Sequence, residues 1–471
     1  MFHKKYSSYD GGATVVVKFC RLRWPRSRPV SYTSLGPIYP TAHLASNSND
    51  VPNKEQRDHN SDVDPKGNFG QYSRVVKQPL WRHWALASGV ARVPVAMVPF
   101  AFVLAGQYAT GSFAAGALLT SLHAMSEALV APWGGRVLDR SEIGTGLRRA
   151  LTAEACLLAL MAVATWEHAP LLLLVFFALA IGGVPAAVPG GFLATLPTIV
   201  PTDALASAFA LDATLLEIEW MAAPPLVSAA VLLGTPVAAL LLMAGVAVIA
   251  VLTVRRLPLP RVRLTGVSSP TPWRRRSARF IYTLACAMGV ALGAIDATLP
   301  PLMPDLGARP AFAGFLAGVL AIASALGGFV YGTQAGRWPG TPRGQASALL
   351  AIFGGLLLPL AFVHSIFWAA VVLIIAGALL APMNALRQHL LQELLPTERR
   401  AEGFSLLYAS TGLGYAGGGL LTAALLHSVG ARGIISVAAL TPLVVGLMAM
   451  SFGARIPWGK AAGKGGRGRD R

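Results

Sequence analysis

Six ionisable side chains interrupt otherwise apolar runs of this sequence: Arg92, Glu127, Asp212, Glu217, Glu219 and Asp296. A charge in such surroundings is costly, so each needs a counter-ion, water or a task. Three of the carboxylates fall within eight residues, in Asp212-Ala-Thr-Leu-Leu-Glu217-Ile-Glu219. At about 100° per helical residue, Asp212 and Glu219 share one face, whereas Glu217 lies about 140° round from Asp212. They cannot all face one cavity centre. With a rise of about 1.5 Å per residue, Glu217 is roughly 18 Å into an element starting near 205. That depth makes it the first choice for a central-cavity group. A desolvated carboxyl there could carry a proton, bind a cationic group or pair with Arg92. Arg92 and Glu127 lie at similar depths in adjacent elements, roughly 12 and 10 Å from the nearer ends, and are expected to pair. Asp296 lies toward the far end of its run, where an interfacial, solvated role is expected. His123 and Trp220 suit a cavity lining or plain packing.

The elements that hold these groups follow from composition. Of 471 residues, 54% are hydrophobic and only 13% charged, and the mean hydropathy is +0.56. A soluble domain carries about a quarter charged residues, and the charges here are confined to short segments between long apolar runs. Lipid is therefore the expected solvent. Spans of about 20 apolar residues recur at 84–106, 111–133, 150–166, 170–195, 205–232, 235–254, 279–302, 310–333, 346–364, 366–390, 403–427 and 432–453. The expectation is an all-α membrane protein of twelve transmembrane helices.

Lys and Arg collect in the connections after even-numbered spans and in the C-terminal tail, leaving Arg309 and Arg432 in the others. The positive-inside rule then puts both termini in the cytoplasm, in an inner or plasma membrane. The same scatter argues against nucleic-acid binding despite a net charge of +18, because no single basic face forms. Residues 1–83 read as a disordered cytoplasmic tail, or an over-extended start. Residues 84–254 form a first six-helix half, 255–278 a basic linker with Arg274, Arg275 and Arg276, 279–455 a second half, and 456–471 a basic tail. Cys20, Cys156 and Cys286 are too far apart for a disulfide framework or metal motif. No catalytic constellation, metal site or cofactor motif is found, and the loops are too short for a catalytic domain.

An internal repeat supports the division. Gly134-Gly135-Arg136-Val137 returns as Gly327-Gly328-Phe329-Val330, an offset of 193. Val200-Pro201-Thr202-Asp203 returns as Leu395-Pro396-Thr397-Glu398, an offset of 195. Parallel six-helix repeats are the construction of one large transporter class. The loop after the second span reads Gly135-Arg-Val-Leu-Asp139-Arg140 and resembles the G-x-x-x-D-R signature of the major facilitator superfamily at that place. The usual continuation, a glycine and two basic residues, is replaced by Glu142, Ile143 and Gly144. The resemblance implies alternating access by two rocking halves, with Gly135, Asp139 and Arg140 as a gating motif.

Ala223-Pro224-Pro225 looks like a degenerate form of the family exporters' glycine–proline motif, and the glycine-rich 412–419 stretch suits bending or close packing. An arginine common in drug–proton antiporters is absent from the fourth span. The function expected is proton-coupled efflux of small organic molecules by a monomer in the bilayer. The coupling or cavity candidates are Glu217, Asp212, Arg92 and Glu127. The alternatives are an uptake permease, proton-coupled or facilitative, and a non-transporting sensor or scaffold.

Overall fold

The computed structural model describes residues 73–140, 142–201, 204–257, 275–333, 339–395 and 400–453. Most of the expected N-terminal tail, nearly all of the linker and the C-terminal tail lie outside them, as do residues 202–203 and 396–398 of the internal repeat. Among the described residues every regular element is helical: α1 (Pro79–Thr110), α2 (Phe113–Arg140), α3 (Ile143–Trp166), α4 (Leu171–Gly183), α5 (Val188–Ile199), α6 (Leu205–Leu233) and α7 (Pro236–Arg255). After the linker come α8 (Arg276–Leu302), α9 (Ala313–Thr333), α10 (Pro342–Leu357), α11 (Ile366–Gly377), α12 (Leu380–Leu394) and α13 (Arg400–Gly453). In lipid the backbone must satisfy its own hydrogen bonds, and helices of this length do so.

Among the described residues, ten segments are long and apolar enough to cross a membrane. The expected twelve differ from these ten at two places. α3 carries Arg148, Arg149 and Glu154 and is not among the ten. α13 counts once although it runs for 54 residues, and Gly430, at φ 69° and ψ 175°, breaks it within. That φ belongs to the left-handed region, where glycine has no Cβ to clash. The expected tail boundary at residue 83 falls inside α1. Pro79 opens this helix at a position where a missing N–H costs nothing, and residues 73–77 before it are already helical.

α1 packs on α2, α6 and α7, and α3 on α7. Beyond the linker, α8 and α10 pack on α13, and α9 on α11 and α12. The α8–α13 pair is the most extensive contact and explains the glycine-rich stretch. A Cβ on Gly414 or Gly418 would strike the carbonyl oxygen of Cys286 or Val290, so close backbone approach requires glycine there. Contacts between the two groups run mainly through α2–α13 and α6–α9. In the second, Gly314 and Gly318 of α9 seat against Pro224 and Pro225 of α6, which gives those prolines a packing role.

Candidate functional site

The buried charges of the N-terminal helices form a network between α1 and α6. One guanidinium nitrogen (NH2) of Arg92 lies 2.8 Å from Asp212 Oδ1 and 3.2 Å from Glu219 Oε1, while Nε lies 3.1 Å from Glu219 Oε2. All three side chains are buried. The seven-residue spacing that puts Asp212 and Glu219 on one face thus points both at Arg92. Gly89, one turn before Arg92, makes room: a Cβ there would stand 3.3 Å from Glu219 Oε1.

Glu127 is the sequence expectation that changes. It does not pair with Arg92, whose guanidinium is occupied by the two α6 carboxylates. Its Oε1 instead accepts from Tyr408 Oη of α13 across 3.5 Å. With His123, Glu127 lines a small cleft walled by Ala91, Val95, Gly182 and Pro185. His123 is buried and meets Phe102 edge-on at 5.5 Å. Asp296 also departs from expectation: it is half-buried and accepts from Tyr415 Oη at 2.9 Å, where a solvated group was expected.

Glu217 does not join the Arg92 network. Pro224 and Ser228, which pack on Gly314 of α9, lie about 120° and 160° round α6 from Asp212, and Glu217 lies between them at about 140°. Glu217 therefore occupies the α9-facing side, two to three turns nearer the helix start, and is exposed with Ala213. On α9, the face begun by Gly314 and Gly318 continues through Ile322, Ala325 and Phe329, all exposed. The two faces are in contact at one end, and beyond that contact Glu217 of α6 and Ile322, Ala325 and Phe329 of α9 are exposed.

Two buried ions escaped the sequence reading. Glu154 of α3 is 2% exposed and lies within electrostatic reach of Glu127. Its position inside the 150–166 run was the available signal. Arg387 of α12 is 4% exposed, and its neighbours Gln388 and His389 disguised it as part of a polar helix end. It donates to Met383 O at 3.2 Å, to Met288 Sδ at 3.0 Å and to Asn384 Oδ1. Gly135, Asp139 and Arg140 fall in the last turns of α2, and their side chains lie outside the described structure.

Residues 280–468 match the family model described as Major Facilitator Superfamily. No curated protein matches the chain. Among solved structures, a bacterial homologue of the human lysosomal transporter Spinster, inward-facing and unoccupied, aligns with a TM-score of 0.67 at 14% identity, covering 82% of this chain and 100% of that one. A point variant of the nucleoside transporter NupG aligns at 0.64 and 16%, covering 79% and 99%. A peptide transporter, POT, in complex with sulfate, aligns at 0.61 and 13%, covering 79% and 94%. At these identities the shared property is the fold.

Proposed function

We propose that this chain, a member of the Major Facilitator Superfamily by its residues 280–468 and by its fold, exports small organic molecules in exchange for protons. Two six-helix halves, 84–254 and 279–455, rock about a central site and expose it alternately to each side. The twelve crossings are the ten apolar segments with α3 added and α13 counted twice, broken at Gly430. Both termini are cytoplasmic in a plasma or inner membrane, as the basic connections direct, and the chain works as a monomer. Gly135, Asp139 and Arg140 lock the cytoplasmic side in one of the two states.

The observation that carries this reading is Glu217, an exposed carboxylate on the α9-facing side of α6, with the exposed apolar residues Ile322, Ala325 and Phe329 on the facing side of α9. Apolar walls accept an organic molecule of varied shape, and the lone carboxylate favours one with a cationic group. A strain overproducing the protein and a deletion strain should differ in susceptibility to organic cations, with overproduction protecting at least several-fold. Glu217→Gln at equal membrane abundance should abolish that protection. Equal susceptibility of the two strains across neutral, anionic and cationic compounds would sink the export reading. Accumulation by the overproducing strain would favour the uptake alternative.

A further inference from the structure

The Arg92 network holds one cation and two carboxylates, all buried. Were both carboxylates ionised, the site would carry a net negative charge at a helix–helix contact in the bilayer, where an uncompensated buried charge is costly. The titratable groups on the surrounding helices do not cancel it. α6 adds Glu217, α2 adds His123 and Glu127, α3 adds Glu154, and α13 adds the neutral Tyr408. Arg255 closes α7 at its exposed end, and α9 contributes no charged residue to its contact with α6.

A second observation tells the two carboxylates apart. Asp212 takes the shortest bond, 2.8 Å, from the guanidinium. Glu219 Oε2 is buried and, among the described residues, accepts no hydrogen bond, although Arg92 Nε is only 3.1 Å away. The N–H is not aimed at it. An oxygen sealed from water with an unused lone pair is a place for a proton.

We infer that the Arg92–Asp212–Glu219 network is a proton-binding site, occupied by one exchangeable proton on Glu219, with Asp212 held at 2.8 Å by Arg92. Binding forms one O–H bond on Glu219 from a proton of the aqueous phase and leaves the site neutral. Release restores the Glu219 carboxylate. The site sits on a face of α6 about 140° from that of Glu217, so proton and substrate occupy separate places on one helix. Movement of α6 against α1 is then the link between them. That role in transport rests on the exchange reading above; the presence of the proton does not.

The full-length protein in liposomes tests this by infrared difference spectroscopy between alkaline and acidic medium, with the proton as the only ligand. The wild type should show a protonated-carboxyl carbonyl component that Glu219→Gln removes, beside those of the other buried or half-buried carboxyls Glu127, Glu154 and Asp296. Glu217→Gln should retain it, because that group belongs to the other face. Dye-measured uptake should fall by one proton per chain in Glu219→Gln. Glutamine mimics the neutral carboxyl, so this variant should fold. If it does not, Arg92→Lys should keep the band, whereas Arg92→Gln should enlarge it by a second carboxyl. A spectrum that Glu219→Gln leaves unchanged, or loss of the same component in Glu217→Gln, overturns the assignment. A normal band pattern beside flux that ignores an imposed pH gradient would overturn proton exchange and leave the site standing.

Discussion

The N-terminal and C-terminal helices each bury an arginine, and they treat it in opposite ways. Arg92 is met by two carboxylates from a neighbouring helix. Arg387 is met by a carbonyl, an amide oxygen and a thioether, two of them on its own helix α12. The acid of the C-terminal group, Asp296, stands apart and is held by a tyrosine hydroxyl. The Arg92 network concentrates charge of both signs at a buried contact between helices; Arg387 and Asp296 lie apart, each with neutral partners, and an ion pair of the C-terminal group, Arg432 with Asp305 at 3.6 Å, is more exposed. Protonating a carboxylate weakens its attraction to Arg92, whereas the neutral partners of Arg387 have no such proton to take up. The proton-binding proposal thus assigns the titrating chemistry to the Arg92 network and a fixed frame to Arg387 and its partners.

The sharpest way to break this contrast is to remove each arginine in turn. Arg92→Met leaves two buried carboxylates with no cation, and breaking such a network costs about 3–5 kcal/mol. A large fall in the detergent melting temperature is expected at alkaline pH. The deficit should shrink as pH falls, because protonating both carboxyls removes the charge that made the loss costly. Arg387→Met removes a buried charge that, among the described residues, no carboxylate balances. Trading buried ions for apolar groups of similar volume is often neutral or stabilising, so a change within about 1 kcal/mol and independent of pH is expected. Equal losses in the two variants would erase the distinction.

A smaller effect probes the frame itself. Gly418→Ala places a methyl against the Val290 carbonyl of α8, and overpacking of this kind costs about 1–3 kcal/mol. Gly417→Ala, beside it but meeting no atom within 4 Å, should be close to neutral. The pair of melting temperatures separates close approach from general loss of flexibility.

Much of this organisation was legible in the sequence, for identifiable reasons. Apolar runs located the helices because lipid leaves the backbone no other solution. Helical periodicity put Asp212 and Glu219 on one face and Glu217 on another. Depth along the helices could not choose partners: Arg92 and Glu127 sit at similar depths, yet Arg92 turns to α6 and Glu127 meets Tyr408. That choice depends on how α1, α2 and α6 are rotated about their axes, and many weak apolar contacts set this. Arg387 was hidden because its partners are neutral, and neutral partners leave no charge pattern to read.

The least costly prediction concerns Tyr408, where the two groups touch through a polar contact. Its hydroxyl is 3.5 Å from Glu127 Oε1, at the outer limit of a hydrogen bond, and the tyrosine is itself largely exposed. A bond of that length, from a largely exposed hydroxyl to a half-buried carboxylate, contributes at most about 0.5 kcal/mol. Tyr408→Phe should therefore leave the melting temperature within about 1–2 °C of wild type, by the usual scaling of stability with melting temperature. Asp296 offers the matched control, since Tyr415→Phe removes a 2.9 Å bond to a half-buried carboxylate. Bonds to charged groups contribute about 1.5–3 kcal/mol, so that loss should exceed the Tyr408 loss several-fold. A Tyr408 loss as large as the Tyr415 loss would mean that α2 and α13 are held together by Glu127. The boundary between the groups would then be part of the fixed frame, with no freedom left for α2 and α13 to separate.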